Sequence, residues 1–187
     1  MPLQKFLTCL SLVLLAGCGG LNDRVSVNEP TLEGRVRIGV SSLEIKEPSL
    51  PGYAVADEIS IEGEGGLLVT EGSVLWADKP SRAIALELTR HLTGLTRTRI
   101  ASSPWPFEEP PAGILDLRFE SFVARADGTF FVSGQYFLGR LDGGRERSGL
   151  FELVEPIGEP LNSTNIAKAR GRAVANLARF LASNALK

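Results

Sequence analysis

From Ile114 onward, apolar and polar side chains alternate with the period of two that a strand with one buried face requires. The first such run, Ile114 to Ala124, carries Leu115, Leu117, Phe119 and also Phe122. A second, Thr129 to Leu138, has Phe131 and Tyr136 among its large residues, and a third spans Arg147 to Val154. Asp127-Gly128 between the first two is the strongest hairpin signal in the chain, because a tight turn needs a residue that accepts positive φ. Asp142-Gly143-Gly144 reads as the next turn, so the three runs predict an antiparallel meander. Two stretches instead follow the helical period. Ile84, Leu88 and Leu92 form one apolar stripe, with Arg82, Glu87, Arg90 and Thr93 placed off it, in a helix that starts near Pro80 or Ser81 and ends at Gly94. Ile166, Ala169, Ala173, Val174, Leu177, Phe180 and Leu181 form another, in a helix from about Thr164 to Asn184, capped through Asn162-Ser163 and carrying Lys168, Arg172 and Arg179 on its polar face.

The first half of the chain is less regular. Val36, Ile38 and Val40 alternate with Arg37 and Gly39 and predict a first strand beginning at Arg35. Pro48 to Tyr53 breaks it, since two prolines remove two amide donors. Further strands are expected at Glu58 to Ile61 and Gly66 to Thr70, joined by Glu62-Gly63-Glu64-Gly65, and Val74-Leu75-Trp76 is a short apolar stretch. The sum is an α+β domain, residues 35–187, with an antiparallel or mixed sheet of about five to seven strands and two helices packed on one face.

What precedes the domain has a different character. Lys5, the apolar run Phe6 to Leu15 and the small residues before Cys18 have the layout of a secretory signal. About ten apolar residues make roughly 15 Å of helix, half the thickness of a bilayer core, so the run cannot span. Leu15-Ala16-Gly17-Cys18 resembles the bacterial lipobox, which implies removal of residues 1–17 and acylation of Cys18. Residues 18–34, with Gly19-Gly20, Asn22-Asp23 and Pro30, show no sustained period and read as a flexible tether. Cys9 leaves with the signal segment and Cys18 is consumed by lipid, so the mature chain has no disulfide. Its stability must come from its core, for which 43% apolar residues suffice. The formal net charge is −2 and no basic tract occurs, which gives nucleic-acid binding no electrostatic support.

Candidate chemistry is sparse. The chain has one histidine, His91, inside the first helix, with no second histidine or spare cysteine to complete a zinc site. There is no nucleophile elbow, phosphate loop or paired catalytic carboxylate, and Glu108-Glu109 between prolines reads as a solvated turn. The expectation is a protein that is not an enzyme and takes no cofactor or metal beyond the lipid on Cys18. Binding residues are better represented. Trp76, just before a helix, reads as core. Trp105 and Phe107 lie in a segment with Pro104, Pro106, Pro110 and Pro111, and either contact a partner or lipid or pack over the sheet edge. Leu50, Pro51 and Tyr53 present the same choice.

The lipobox, the Leu50-Pro51-Gly52-Tyr53 loop, the Trp76-Ala77-Asp78-Lys79-Pro80 helix entry, the Asp116-Leu117-Arg118-Phe119-Glu120-Ser121-Phe122 strand and the terminal Ala-rich helix together resemble the ABC-type transport auxiliary lipoproteins, the PqiC-like family. The resemblance implies a periplasmic accessory lipoprotein that binds a transporter component containing mammalian-cell-entry (MCE) domains and serves lipid movement between two membranes. It also implies an anchor in the outer membrane, since Gly19 rather than Asp follows the cysteine, and leaves a homo-oligomer open. Lys79 is an extra residue before the proline relative to the family pattern. Two other readings stand beside this one: a carrier that shelters an acyl chain between sheet and helices, and a structural envelope lipoprotein without a transport role.

Overall fold

The computed structural model describes residues 22–28 and 30–187; the signal segment and Cys18 lie outside the described residues. The longest strand, β6 (Gly113–Arg125), pairs antiparallel along its length with β7 (Thr129–Arg140), which pairs antiparallel with β8 (Arg147–Pro156). The turn at Asp127-Gly128 forms as its residues demand. Gly128 takes φ 83°, and the Asp127 carboxylate accepts from the Thr129 amide at 3.0 Å. Leu115, Leu117 and Phe119 face the core at alternate positions, and then the phase shifts so that Phe122 and Ala124 face it instead. A bulge causes the shift: Phe119 pairs with Gly134 and Ser121 with Ser133, leaving Glu120 as the extra residue. Gly134 is required opposite the bulge, because a Cβ there would stand 2.2 Å from the Arg118 carbonyl oxygen.

The other edge of β6 is shared. Its first residues pair in parallel with β2 (Ser42–Ile45) and its last two with β3 (Glu58–Glu62). Between them Ser49 donates its amide to Leu117 and accepts from the amide of Phe119, at 3.1 and 2.9 Å. The Tyr53 hydroxyl then accepts from the Phe122 amide at 3.2 Å, so a loop and a side chain complete a ladder that no single strand covers. Tyr53 belongs to a one-turn helix, α1 (Gly52–Val55). Beyond β2 lies β5 (Arg99–Ser102), and beyond β3 lie β4 (Leu68–Trp76) and then β1 (Asp23–Val25). The sheet is therefore mixed, with eight strands among the described residues, one more than the upper end of the sequence expectation.

Two expectations for the N-terminal segment need correction. Residues 18–34 are not all tether: Asp23–Val25 pairs with Val74–Trp76, and Val25, Val27 and Leu32 pack on the core. Arg24 fixes this strand by donating to the Trp76 carbonyl at 2.7 Å and to Asp57 at 3.1 Å. Residues 35–40 are not a strand. Val40 is buried and Val36 and Ile38 are partly so, but the backbone bonds singly, from the Val36 amide to the Leu95 carbonyl and from the Gly39 amide to the Leu186 carbonyl. The Leu95 carbonyl ends a helix and the Leu186 carbonyl lies two residues past the end of another, so the segment serves as their donor rather than joining the sheet.

The two long helices are α2 (Pro80–Leu95) and α3 (Ser163–Asn184). Pro80 occupies the first turn of α2, where its missing amide costs nothing, and Ser81 bonds Glu47 instead of capping. The helix runs through Gly94 and closes with the Thr96 amide on the Leu92 carbonyl. Asn162 caps α3 by accepting from the Asn165 amide at 2.9 Å. Both helices close one face of the sheet, with Ile84, Leu88, Leu92, Ile166, Leu177 and Leu181 fully buried in the same cluster as Leu115 and Leu117.

Candidate interaction and anchor sites

The segment from Pro104 to Pro111 follows edge strand β5 and returns to the start of β6. Trp105 donates its indole N–H to the Glu109 carbonyl at 2.7 Å, which closes the loop on itself. The Trp105 and Phe107 rings meet edge to face with centroids 4.9 Å apart, and the Arg99 guanidinium lies 5.1 Å from the Phe107 centroid. Phe107 remains 44% exposed. An aromatic wedge is thus held rigid by its own hydrogen bond, its prolines and a cation on β5, with one ring face left to solvent.

The Leu50-Pro51-Gly52-Tyr53 loop sits differently. Leu50 and Tyr53 are partly buried against the core and Pro51 is half-buried. Tyr53 supplies the acceptor for Phe122 described above, and its own carbonyl accepts from Ser60. The structure therefore places this loop and the Trp105-Phe107 pair at separate points of the molecule, one bridging β6 to β3 and the other beyond β5. Trp76 is buried, as its position before α2 suggests.

The charged pair at the centre of the fold was not anticipated from the sequence. Arg170 of α3 donates from Nη1 to Glu87 of α2 at 2.6 Å, and the two side chains are 1% and 5% exposed. Trp76 and Phe122 stand 5.4 and 5.7 Å from the guanidinium carbon, so the cation lies between two rings as well as beside a carboxylate. Glu87 belongs to the inner face of α2 and not the polar one. The signal was present in the sequence: Arg170 falls four residues after Ile166 and four before Val174, in phase with the stripe. A cleft of about 190 Å³ opens beside the pair between Val25, Trp76, Leu86 and Arg90. His91 is also buried on α2. Among the described residues, no group of three or more His, Cys, Asp or Glu is placed to hold a metal ion.

The chain matches the family model of the ABC-type transport auxiliary lipoprotein component over residues 26–182. A mixed sheet closed on one face by two helices is the fold this family model meets here, and the chain belongs to that family. Membership places it among envelope lipoproteins held at a membrane. Two solved structures share the fold. A protein from Xanthomonas campestris has a TM-score of 0.70 at 14% identity, covering 84% of this chain and 90% of that one. An uncharacterised protein has a TM-score of 0.65 at 16% identity, covering 87% and 98%. No curated protein matches the chain.

Proposed function

We propose that this protein is an outer-membrane-anchored accessory lipoprotein of an MCE-type intermembrane lipid transport system. On this reading Cys18 carries the lipid, and the Trp105-Phe107 wedge docks the MCE-domain component. The observation that carries the reading is the wedge itself, an exposed aromatic ring preorganised by the Trp105 hydrogen bond, so that docking orders little new chain. Gly19 after the cysteine supports the outer membrane over the inner. A filled interior favours docking over carriage of an acyl chain. Ile84, Leu88, Leu115, Leu117 and Leu177 are all fully buried between sheet and helices, and the clefts beside Trp76 and beside Val36, about 190 and 380 Å³, open to solvent.

Anchors of this kind bury on the order of 150–250 Å² each, and truncating one costs about 2 kcal/mol or more of binding. The test is pull-down of the MCE component by the Trp105→Ala/Phe107→Ala variant, alongside thermal unfolding. Because Phe107 packs mainly on Trp105 and Arg99, melting should change little while affinity falls about thirtyfold. Undiminished pull-down overturns the docking role. A large fall in melting temperature shows that the pair is structural.

A further inference from the structure

Among the exposed apolar side chains, three are consecutive: Leu67, Leu68 and Val69 are 67%, 40% and 49% exposed. Leu67 closes the hairpin that joins β3 to β4, and Leu68 and Val69 begin β4. The hairpin tip is well formed, with a single 3₁₀ turn at Glu64–Gly66, positive φ at Gly65 and Gly66, and the Gly63 amide on the Leu67 carbonyl at 2.8 Å. Among the described residues β1 pairs with Val74–Trp76, so the first half of β4 projects past it, and its residues from Leu68 to Thr70 are exposed. Three adjacent apolar residues on a projecting tip are costly in water unless something covers them.

The position of β1 says what covers them. β1 runs parallel to β4, so the chain enters β1 from the side on which the tip projects. Asp23 is five residues on from Cys18, and five extended steps span at most about 17 Å. Val74 is six residues on from Leu68, about 20 Å of strand. At full extension Cys18 can come level with about Val69, so an acyl group on it can reach a leaflet at the level of Leu67–Val69.

We propose that the β3–β4 hairpin tip, through Leu67, Leu68 and Val69, inserts into the lipid leaflet that holds the acylated Cys18 and forms a second, non-covalent membrane contact. The proposal rests on the reading of Cys18 as the anchor. Charge at the tip agrees with an apolar rather than an electrostatic contact. Glu62 is paired with Arg125 at 3.2 Å, and Glu64 is exposed with no basic cluster beside it, so anionic headgroups are not what the tip attracts. The lipid supplies attachment and holds the tip at high effective concentration near the leaflet. The tip supplies orientation, since a single lipid attachment leaves the angle of the domain to the membrane unset.

The experiment uses the full-length lipoprotein, purified after export and reconstituted in phosphatidylethanolamine vesicles with a minor share of phosphatidylglycerol. Cys9 and Cys18 are the only cysteines in the sequence, so a Leu68→Cys variant gives one reactive thiol in the processed, acylated chain. An environment-sensitive fluorophore there should brighten severalfold, shift to the blue and be quenched by nitroxide-labelled acyl chains, with little dependence on salt. The same probe at Leu150→Cys, a residue 71% exposed on β8, should stay aqueous. A probe at position 68 that stays open to aqueous iodide, or is shielded from water yet not quenched by lipid, overturns the insertion. Mass spectrometry of the N-terminal peptide separates the two claims. An acylated protein with an aqueous tip sinks the insertion alone, whereas a protein without acyl chains on Cys18 sinks the anchor and this inference with it.

Discussion

Replacing Arg170 with methionine removes its cation from between α2 and α3 and leaves Glu87 in place, 5% exposed and without the Arg170 bond. Methionine keeps most of the apolar stem, so lost packing is small and the perturbation is chiefly electrostatic. Breaking one side of a buried pair costs about 3–5 kcal/mol, because the remaining charge stays desolvated. In a domain of this size each kcal/mol is worth about 2–4 °C, so the melting temperature should fall by roughly 6–20 °C. The informative variant is the double one, Glu87→Leu/Arg170→Met. Replacing both charges by apolar groups of similar bulk removes the desolvation cost together with the attraction, and the double variant should recover most of the lost stability. A double-mutant cycle by thermal and urea unfolding measures the coupling directly. The reasoning is refuted if Arg170→Met melts with the parent, or if the double variant is as unstable as the two single losses combined.

Three further outcomes follow from local geometry. The Arg140 guanidinium bonds the Asp142 carboxylate and, with the Gly144 amide, holds its pKa down to about 2. That stabilisation is present above the ordinary value of 3.8 and is lost as the pH falls from there through about 2, so an NMR titration should place the Asp142 midpoint near 2 and Arg140→Ala should move it back up. Gly134→Ala puts a Cβ 2.2 Å from the Arg118 oxygen and 2.8 Å from Phe151, and should cost about 3 kcal/mol or more in urea unfolding. Gly94→Ala in α2 meets nothing within 4 Å and should stabilise by about 0.5–1 kcal/mol in the same assay.

The meander and both helices were legible because each of their signals is local. Asp127-Gly128 needs only its own φ, Asn162 bonds an amide three residues on, and the stripes of α2 and α3 repeat within one element. What was hidden depends on partners distant in sequence. β1 and β5 are three and four residues long, too short for a period to register, and each becomes a strand by pairing in parallel with residues far along the chain. Val36, Ile38 and Val40 have the alternation of a strand but meet helix ends rather than a free sheet edge. Residue type alone places Glu87 on the polar face, whereas a buried carboxylate is stable on the inner one with Arg170 opposite. The Trp105-Phe107 choice, partner or sheet edge, was open because the Trp105 bond to Glu109 that fixes the wedge is set by three-dimensional closure of the loop.

Strand β6 gives the molecule a polarity that joins the two proposed contacts. Its Leu115 stands level with Ile45 of β2, and through it with Ser102, the residue at which β5 ends and the aromatic loop begins. Its Arg125 stands level with Glu62, the residue at which β3 enters the exposed hairpin. Ten residues of strand lie between those levels, about 30 Å. The loop carrying Phe107 turns back to Gly113 at the start of β6, so it stays at that end, while the hairpin continues past the other. With Leu67–Val69 and Cys18 at the leaflet, the aromatic wedge is directed away from the membrane by the length of the sheet. A domain that only needed to stay at the membrane would gain nothing from a rigid aromatic contact at its far end, whereas one that holds a transporter component across the envelope needs both ends.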